Sequence, residues 1–215
     1  MRVKRTAATD EALRDGRGAA WEKLEAREVV LVPAPVVLVA PVSPHLALSQ
    51  THGAVKALSA RATHNGETLS IRLAWEDPNR DDRIADLDRF ADAAAVSFPL
   101  LDDANPFTMG DEQKPVNAWL WRADRPEPFD VIARGYSTSE RRPAAASGLA
   151  AHGYYEDGQW VVVFQRPLHP ASGEFARFEP GAPAKAAFAV WEGSNAERAG
   201  QKAVSGAFIE LELDR

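Results

Sequence analysis

The chain has 215 residues, 45% of them hydrophobic, carries a net charge of −6 with both signs scattered along it, and has no cysteine. That length and apolar content suffice for one sizeable core. The missing cysteine excludes thiolate metal sites, iron–sulfur ligation by this chain, C-x-x-C-H attachment of a prosthetic group and disulfides, and the lack of a basic block argues against nucleic acid as a partner.

Residues 1–28 are polar and charged, with Trp21 and Leu24 as anchors, and read as an irregular or partly helical N-terminal arm. The most apolar stretch, residues 29–42, is interrupted by Pro33, Pro35 and Pro41 and is shorter than the ~20 residues a spanning helix needs, so no membrane span is expected. It divides into two extended runs, near 29–32 and 36–40, where β-branched residues dominate. It also lies too deep to be an export signal, so any leader is expected to be absent from this sequence. Residues 55–63 and 68–75 form a hairpin around His64-Asn65-Gly66-Glu67, because Asn-Gly supplies the positive φ angles of a tight turn. In its second strand Leu69, Ile71, Leu73 and Trp75 alternate with Ser70, Arg72 and Ala74, which predicts one buried and one largely open face.

Residues 77–88 are dense in charge and read as an excursion between strands. Residues 93–98 are extended, 99–115 form a loop, and 116–122 (VNAWLWR) form a strand with Trp119 and Trp121 on one face. A further strand is expected at 131–136, and 140–149 is expected to be exposed. Residues 152–156 and 160–166 make a second hairpin on Asp157-Gly158. Residues 186–192 and 205–213 are the last strands, joined by a polar loop over 193–204. Short strands, frequent turn signals and little helical periodicity predict an all-β fold, an antiparallel β-sandwich (immunoglobulin-like) with short helical excursions and long loops. The sandwich is assigned residues 29–215.

No phosphate-binding glycine loop, nucleophile elbow or H-E-x-x-H motif is present. The five histidines (45, 52, 64, 152 and 169) are dispersed, with no pair at helical spacing for a metal. Asp81, Asp82, Asp86 and Asp88 cluster, but Arg80, Arg83 and Arg89 interleave with them, as in a solvated charged loop. No independent catalytic machinery is visible.

Four stretches carry a resemblance. LSIRLAWEDP (69–78), RFADAAAVSFPL (89–100), PFTMGDEQKPVNAWLWRAD (106–124) and WEGSNAERAGQKAVSGAF (191–208), the last preceded by YYEDGQWVVVFQRPL (154–168), occur in this order across most of residues 50–210. Together they resemble the ethylbenzene dehydrogenase-type haem-binding family, the gamma subunits of ethylbenzene dehydrogenase, dimethylsulfide dehydrogenase, chlorate reductase and selenate reductase. The resemblance implies one b-type haem in a pocket formed by the long loops of the sandwich. It implies a periplasmic complex with a molybdenum-containing alpha subunit and an iron–sulfur beta subunit, and electron transfer between the beta subunit and a soluble cytochrome c. It places the axial iron ligands at Met109 and Lys202, and makes Asn117, Trp119, Trp121 and Arg198 candidates for haem contact.

The residues themselves leave alternatives open. Met109 is the only methionine besides Met1 and sits in a Pro/Gly loop, although methionine also fills gaps in cores. A ligating lysine must be neutral, and from a free pKa of about 10.4 that costs roughly 5 kcal/mol at pH 7. Arg198 would disfavour the charged amine, or else bind a haem propionate. His52 and His152 would ligate without that cost. The tryptophans and Asn117, like Trp191, serve equally as core packing. The competing reading of the whole chain is a carbohydrate-binding type of β-sandwich without haem, using exposed tryptophans as stacking platforms.

Overall fold

A computed structural model of the chain describes residues 1–41, 43–84, 86–101 and 104–215. Val42 of the apolar run, Ala85 of the charged excursion, and Asp102 and Asp103 of the 99–115 loop lie outside the described residues. In chain order the strands are β1 (Arg2–Arg5), β2 (Arg27–Pro33), β3 (Ala57–His64), β4 (Thr68–Glu76), β5 (Ala93–Pro99), β6 (Val116–Arg122), β7 (Phe129–Ala133), β8 (Glu140–Pro143), β9 (Ala150–Glu156), β10 (Gln159–Pro167), β11 (Pro183–Trp191), β12 (Ala203–Ser205) and β13 (Ile209–Leu213). Three short helices, α1 (Asp10–Arg14), α2 (Ala19–Glu22) and α3 (Pro44–Ala47), lie between the early strands.

The hydrogen-bonded path runs β8-β7-β6-β5-β11-β12-β2-β3-β4-β10-β9. It is antiparallel except where β1 pairs with β13 and β3. Two strands belong to both sheets. The first half of β2 pairs with β3 and the second half with β12, while β11 pairs with β13 and then with β5. The result is the expected antiparallel β-sandwich, with β2 and β11 as the corners where the chain passes from one sheet to the other.

Both predicted hairpins form at their turns. Gly66 takes a φ of 98°, and Asp157 and Gly158 take 50° and 76°, so each turn has the left-handed backbone its residues tolerate. Between the sheets Trp75, Trp121 and Trp160 contact one another, with ring centroids 4.9–6.4 Å apart. Trp119 packs beside them against Phe98, Phe164 and Phe178.

Three expectations need correcting. Residues 36–39 are a short 3-10 turn, not a strand: Pro35 and Pro41 bracket them, each with a fixed φ and no N–H for a ladder. Residues 140–149 are not simply exposed: β8 pairs with β7, and Ala144 and Leu149 are buried. The whole of β4 from Leu69 to Trp75 is buried, on both faces. The N-terminal segment, with its two short helices, supplies the missing cover. Strand β1 joins the sheet, the Arg72 guanidinium donates to Gly16 O at 2.6 Å, and Leu13 and Trp21 pack on Val163. Asp10 fastens the arm further by accepting from Asn65 Nδ2 and Thr68 Oγ1, both at 2.9 Å.

Asn117 belongs to a polar network inside this frame. Its amide donates to Asp130 at 2.7 Å and to Val131 O at 3.0 Å, and its oxygen accepts from Arg166 at 3.1 Å and from Ala176 N at 3.0 Å. Asp130 also accepts from Arg142 at 2.5 Å and from Ser147 at 2.7 Å. The Arg166 guanidinium lies over the Trp119 ring, 4.9 Å from its centroid, and donates to Ala176 O. Buried charges of this kind persist only when paired and hydrogen-bonded.

Candidate functional site

Strand alternation gives β6 two faces with different contents. Asn117, Trp119 and Trp121 point between the sheets. Ala118 and Leu120 point the other way, and with Ala95 of β5 and Val131 of β7 they floor a cavity of about 310 Å3 on the outer face of the second sheet. All four floor positions are apolar, and two of them are alanine. The volume falls within the roughly 300–1,000 Å3 of ligand and cofactor pockets. Its walls are the Met109 loop and residues Tyr136–Ser139 on one side, and Trp191 with Ala199–Lys202 on the other. Ser43, Leu46 and Arg141 complete the rim.

Asn117, Trp119 and Trp121, expected as possible haem contacts, therefore sit behind the cavity floor. Large aromatic rings fill the inter-sheet core, whereas only small side chains leave room on the outer face. Arg198 is also elsewhere: it stacks on the Phe90 ring at 4.7 Å and lines a separate depression with His52. His52 is buried, bonded to Ala34 O at 2.7 Å and Ser49 Oγ at 3.1 Å. His152 lies on β9 and lines yet another pocket. No histidine is among the described residues lining the Met109–Lys202 cavity.

Met109 and Lys202 do meet. The Lys202 amine donates to Met109 Sδ at 3.7 Å across the cavity, although 93 residues separate them in sequence. Met109 sits at φ 59°, a left-handed conformation that costs a side-chain-bearing residue roughly 1–2 kcal/mol. The loop holds it there. Gly110 N donates to Asn105 O at 2.9 Å, Gly135 N donates to Met109 O at 3.2 Å, and the Tyr136 hydroxyl donates to Phe107 O at 2.6 Å. Gly110 must be glycine, since its φ is 77° and a Cβ would come within 2.3 Å of Lys114 O.

Lys202 is buried, and burial lowers its pKa to about 8. The cause is desolvation alone; the nearby-charge effect expected from Arg198 is absent. Its remaining neighbour is the Trp191 ring, 4.8 Å from the amine. At pH 7 the neutral amine is thus only about 1.4 kcal/mol uphill. A buried, readily neutralised amine faces a thioether across an apolar floor, and among the described residues no carboxylate pairs with it.

The loop that carries Lys202 is preformed. Asp92 is buried between its ends and neighbours, accepting from Gly193 N, Asp81 N and Trp160 Nε1, each at 2.8 Å. Burial pushes the Asp92 carboxyl up to about 7. Trp191 Nε1 donates to Ala199 O at 3.0 Å, and Ala34 N donates to Lys202 O at 2.9 Å. Tyr136, Arg141 and the alanine floor escape a sequence reading centred on tryptophans. The other half of the alternation in VNAWLWR marks Ala118 and Leu120 of the floor; no signal in the sequence marks Tyr136 or Arg141.

The sequence matches the ethylbenzene dehydrogenase family over residues 18–151 and 145–203. The chain belongs to that family. It is 33% identical over 98% of its length to the chlorate reductase subunit gamma of Ideonella dechloratans, covering 83% of that protein. It is 35% identical over 86% of its length to the dimethylsulfide dehydrogenase subunit gamma of Rhodovulum sulfidophilum, covering 69% of it. It is also 33% identical, over 86% of its length, to a Haloferax mediterranei protein named as a candidate respiratory nitrate reductase heme subunit, ORF7, of which it spans 63%. Among solved structures it resembles a family 9 carbohydrate-binding module from Caldicellulosiruptor kristjanssonii in complex with glucose (TM-score 0.55, 11% identity, covering 100% of this chain and 96% of that one). A carbohydrate-binding protein candidate from Bacteroides uniformis is similar at TM-score 0.56 and 11% identity, covering 100% and 98%. At that identity the likeness concerns the fold alone.

None of the six tryptophans, all among the described residues, stands as an exposed stacking platform. Trp21, Trp75, Trp119, Trp121 and Trp160 are buried, and Trp191 is half-buried beside Lys202. No helix of the described residues is long and apolar enough to cross a membrane.

Proposed function

We propose that this chain is the haem b-binding gamma subunit of a periplasmic molybdenum oxidoreductase complex, and that Met109 and Lys202 are the two axial ligands of a single haem iron. The observation that carries the reading is the 3.7 Å approach of the buried Lys202 amine to the Met109 sulfur over an apolar floor. The donor set suits iron in a porphyrin: a neutral thioether, and an amine that burial has brought close to neutrality. The alanine floor accepts a planar ring, and Arg141, with Ser137 and Ser139, offers the polar rim that the ring's carboxylates require.

Met109 Sδ and Lys202 Nζ would hold the iron, in place of the hydrogen bond they make to each other. Bound haem supplies one-electron chemistry, and the thioether favours its ferrous form, raising the potential. The protein's own part is to hold both ligands on braced loops and to keep water from the ring face. Within the complex, electrons would pass through this site between an iron–sulfur beta subunit and a soluble cytochrome c.

Met109→Ala tests the assignment on the haem-reconstituted chain. The expected result is loss of the six-coordinate low-spin reduced spectrum, with haem retention weakened or abolished. An unchanged reduced spectrum rejects Met109 as a ligand.

A further inference from the structure

Glu197 is a carboxylate only 1% exposed, in the loop between β11 and β12, and N–H groups surround it. Its Oε1 accepts from Gly53 N at 2.7 Å, Ala54 N at 2.9 Å and Asn195 Nδ2 at 2.9 Å, and its Oε2 accepts from Glu192 N at 3.2 Å. Burying an ionised carboxylate costs several kcal/mol, and convergent N–H donors are what offset it. Nothing in the inter-sheet core depends on this group. What depends on it is the path of the backbone to Lys202.

That path is a closed circuit. Glu197 grips Gly53 and Ala54. Gly53 lies hard against Pro33: its φ is 77°, and a Cβ there would fall 2.7 Å from Pro33 Cα. Pro33 stands opposite Ala203 across the β2–β12 ladder, and the next residue, Ala34, donates its N–H to Lys202 O at 2.9 Å. His52 locks the same peptide segment from the other side through Ala34 O. The circuit returns to Glu197 five residues before Lys202. The Lys202 backbone is thereby fixed from two directions.

We propose that Glu197 is a positioning residue for Lys202: its buried carboxylate clamps the Glu192–Glu197 turn to Gly53–Ala54 and so sets where the amine sits over the cavity. This rests on the reading of Lys202 as an iron ligand. Groups that orient a ligand in this way typically change metal affinity about 10–100-fold when removed.

The test compares Glu197→Ala, Glu197→Asp, Glu197→Gln and Lys202→Ala in the full chain reconstituted with haem. The readouts are the ferric low-spin fraction and the rate of haem transfer to excess apomyoglobin, with apoprotein melting as the folding control. Glu197→Ala should shift the spectrum toward high spin and speed haem loss about tenfold. Glu197→Asp, one methylene too short to reach Gly53 and Ala54, should do the same and serves where the alanine variant fails to melt cooperatively. Glu197→Gln keeps an oxygen for the Gly53 and Ala54 amides but turns its NH2 toward the Glu192 N–H, so its low-spin fraction should lie between the wild type and Glu197→Ala. Wild-type spectra and haem-loss rates in both Glu197→Ala and Glu197→Asp, with Lys202→Ala high-spin, overturn the positioning role alone. A wild-type spectrum in Lys202→Ala overturns the ligand assignment and this proposal with it.

Discussion

Replacing Lys202 with methionine is expected to stabilise the haem-free chain by about 2 kcal/mol at pH 7. A lysine whose pKa falls from its usual 10.5 to about 8 on folding carries a burial cost of about 3 kcal/mol wherever both states are protonated. Losing the contact with the Trp191 ring returns about 1 kcal/mol of that gain. For a chain of this size the net corresponds to a melting temperature about 4–8 °C higher. The pH dependence gives a second check. Between pH 8 and 10.5 the unfolded state holds the proton and the folded state releases it, so the wild type gains stability with rising pH across that window. Lys202→Met lacks this gain, and the two melting curves should converge near the upper end. A variant that melts below the wild type at pH 7 would show that the amine is not a destabilising burial. A residue that costs stability in the empty chain is one the fold keeps for another purpose.

The second large effect concerns the network under the cavity floor. Asp130→Ala should cost about 3–5 kcal/mol, because it leaves Arg142 and the fully buried Arg166 without their carboxylate. Denaturant unfolding of the haem-free protein measures it. Pairing the change with Arg166→Met should recover part of the loss, since the double variant buries no lone charge. A cost under about 1 kcal/mol for Asp130→Ala would mean that Arg166 is held by Ala176 O, Asn117 and the Trp119 face alone.

These two residues also show how far the sequence can be read. The hairpins at Asn65-Gly66 and Asp157-Gly158 and the strand VNAWLWR are local: turn chemistry and alternation specify them without help from distant residues. The short turn over 36–39 follows from its bracketing prolines, once their restriction on φ outweighs the β-branched composition. Burial of the second face of β4 is not local, because an N-terminal segment more than 50 residues away in sequence covers it. In β6 alternation separates Asn117, Trp119 and Trp121 from Ala118 and Leu120 but does not say which set meets a ligand. Volume decides that: the rings go to the inter-sheet core and the small residues to the cavity floor.

Lys202 is the extreme case. In sequence it is one lysine in a polar glycine-containing loop, and only the resemblance singles it out. Its chemical character comes from Met109 and Trp191 and from the loop that Asp92 and Glu197 hold in place. The histidines looked like cheaper ligands because their neutral form needs no burial. Neither lines the cavity with Met109: His52 is bonded to Ala34 O, and His152 stands on β9 in the other sheet.

The most direct test of the central claim is a spectroscopic titration of the haem-free full chain with haem at neutral pH. The account predicts saturation at one equivalent, a low-spin spectrum with a sharpened Soret band, and a shift of that band on reduction. A cooperatively folded chain that takes up no haem in saturable fashion would contradict it.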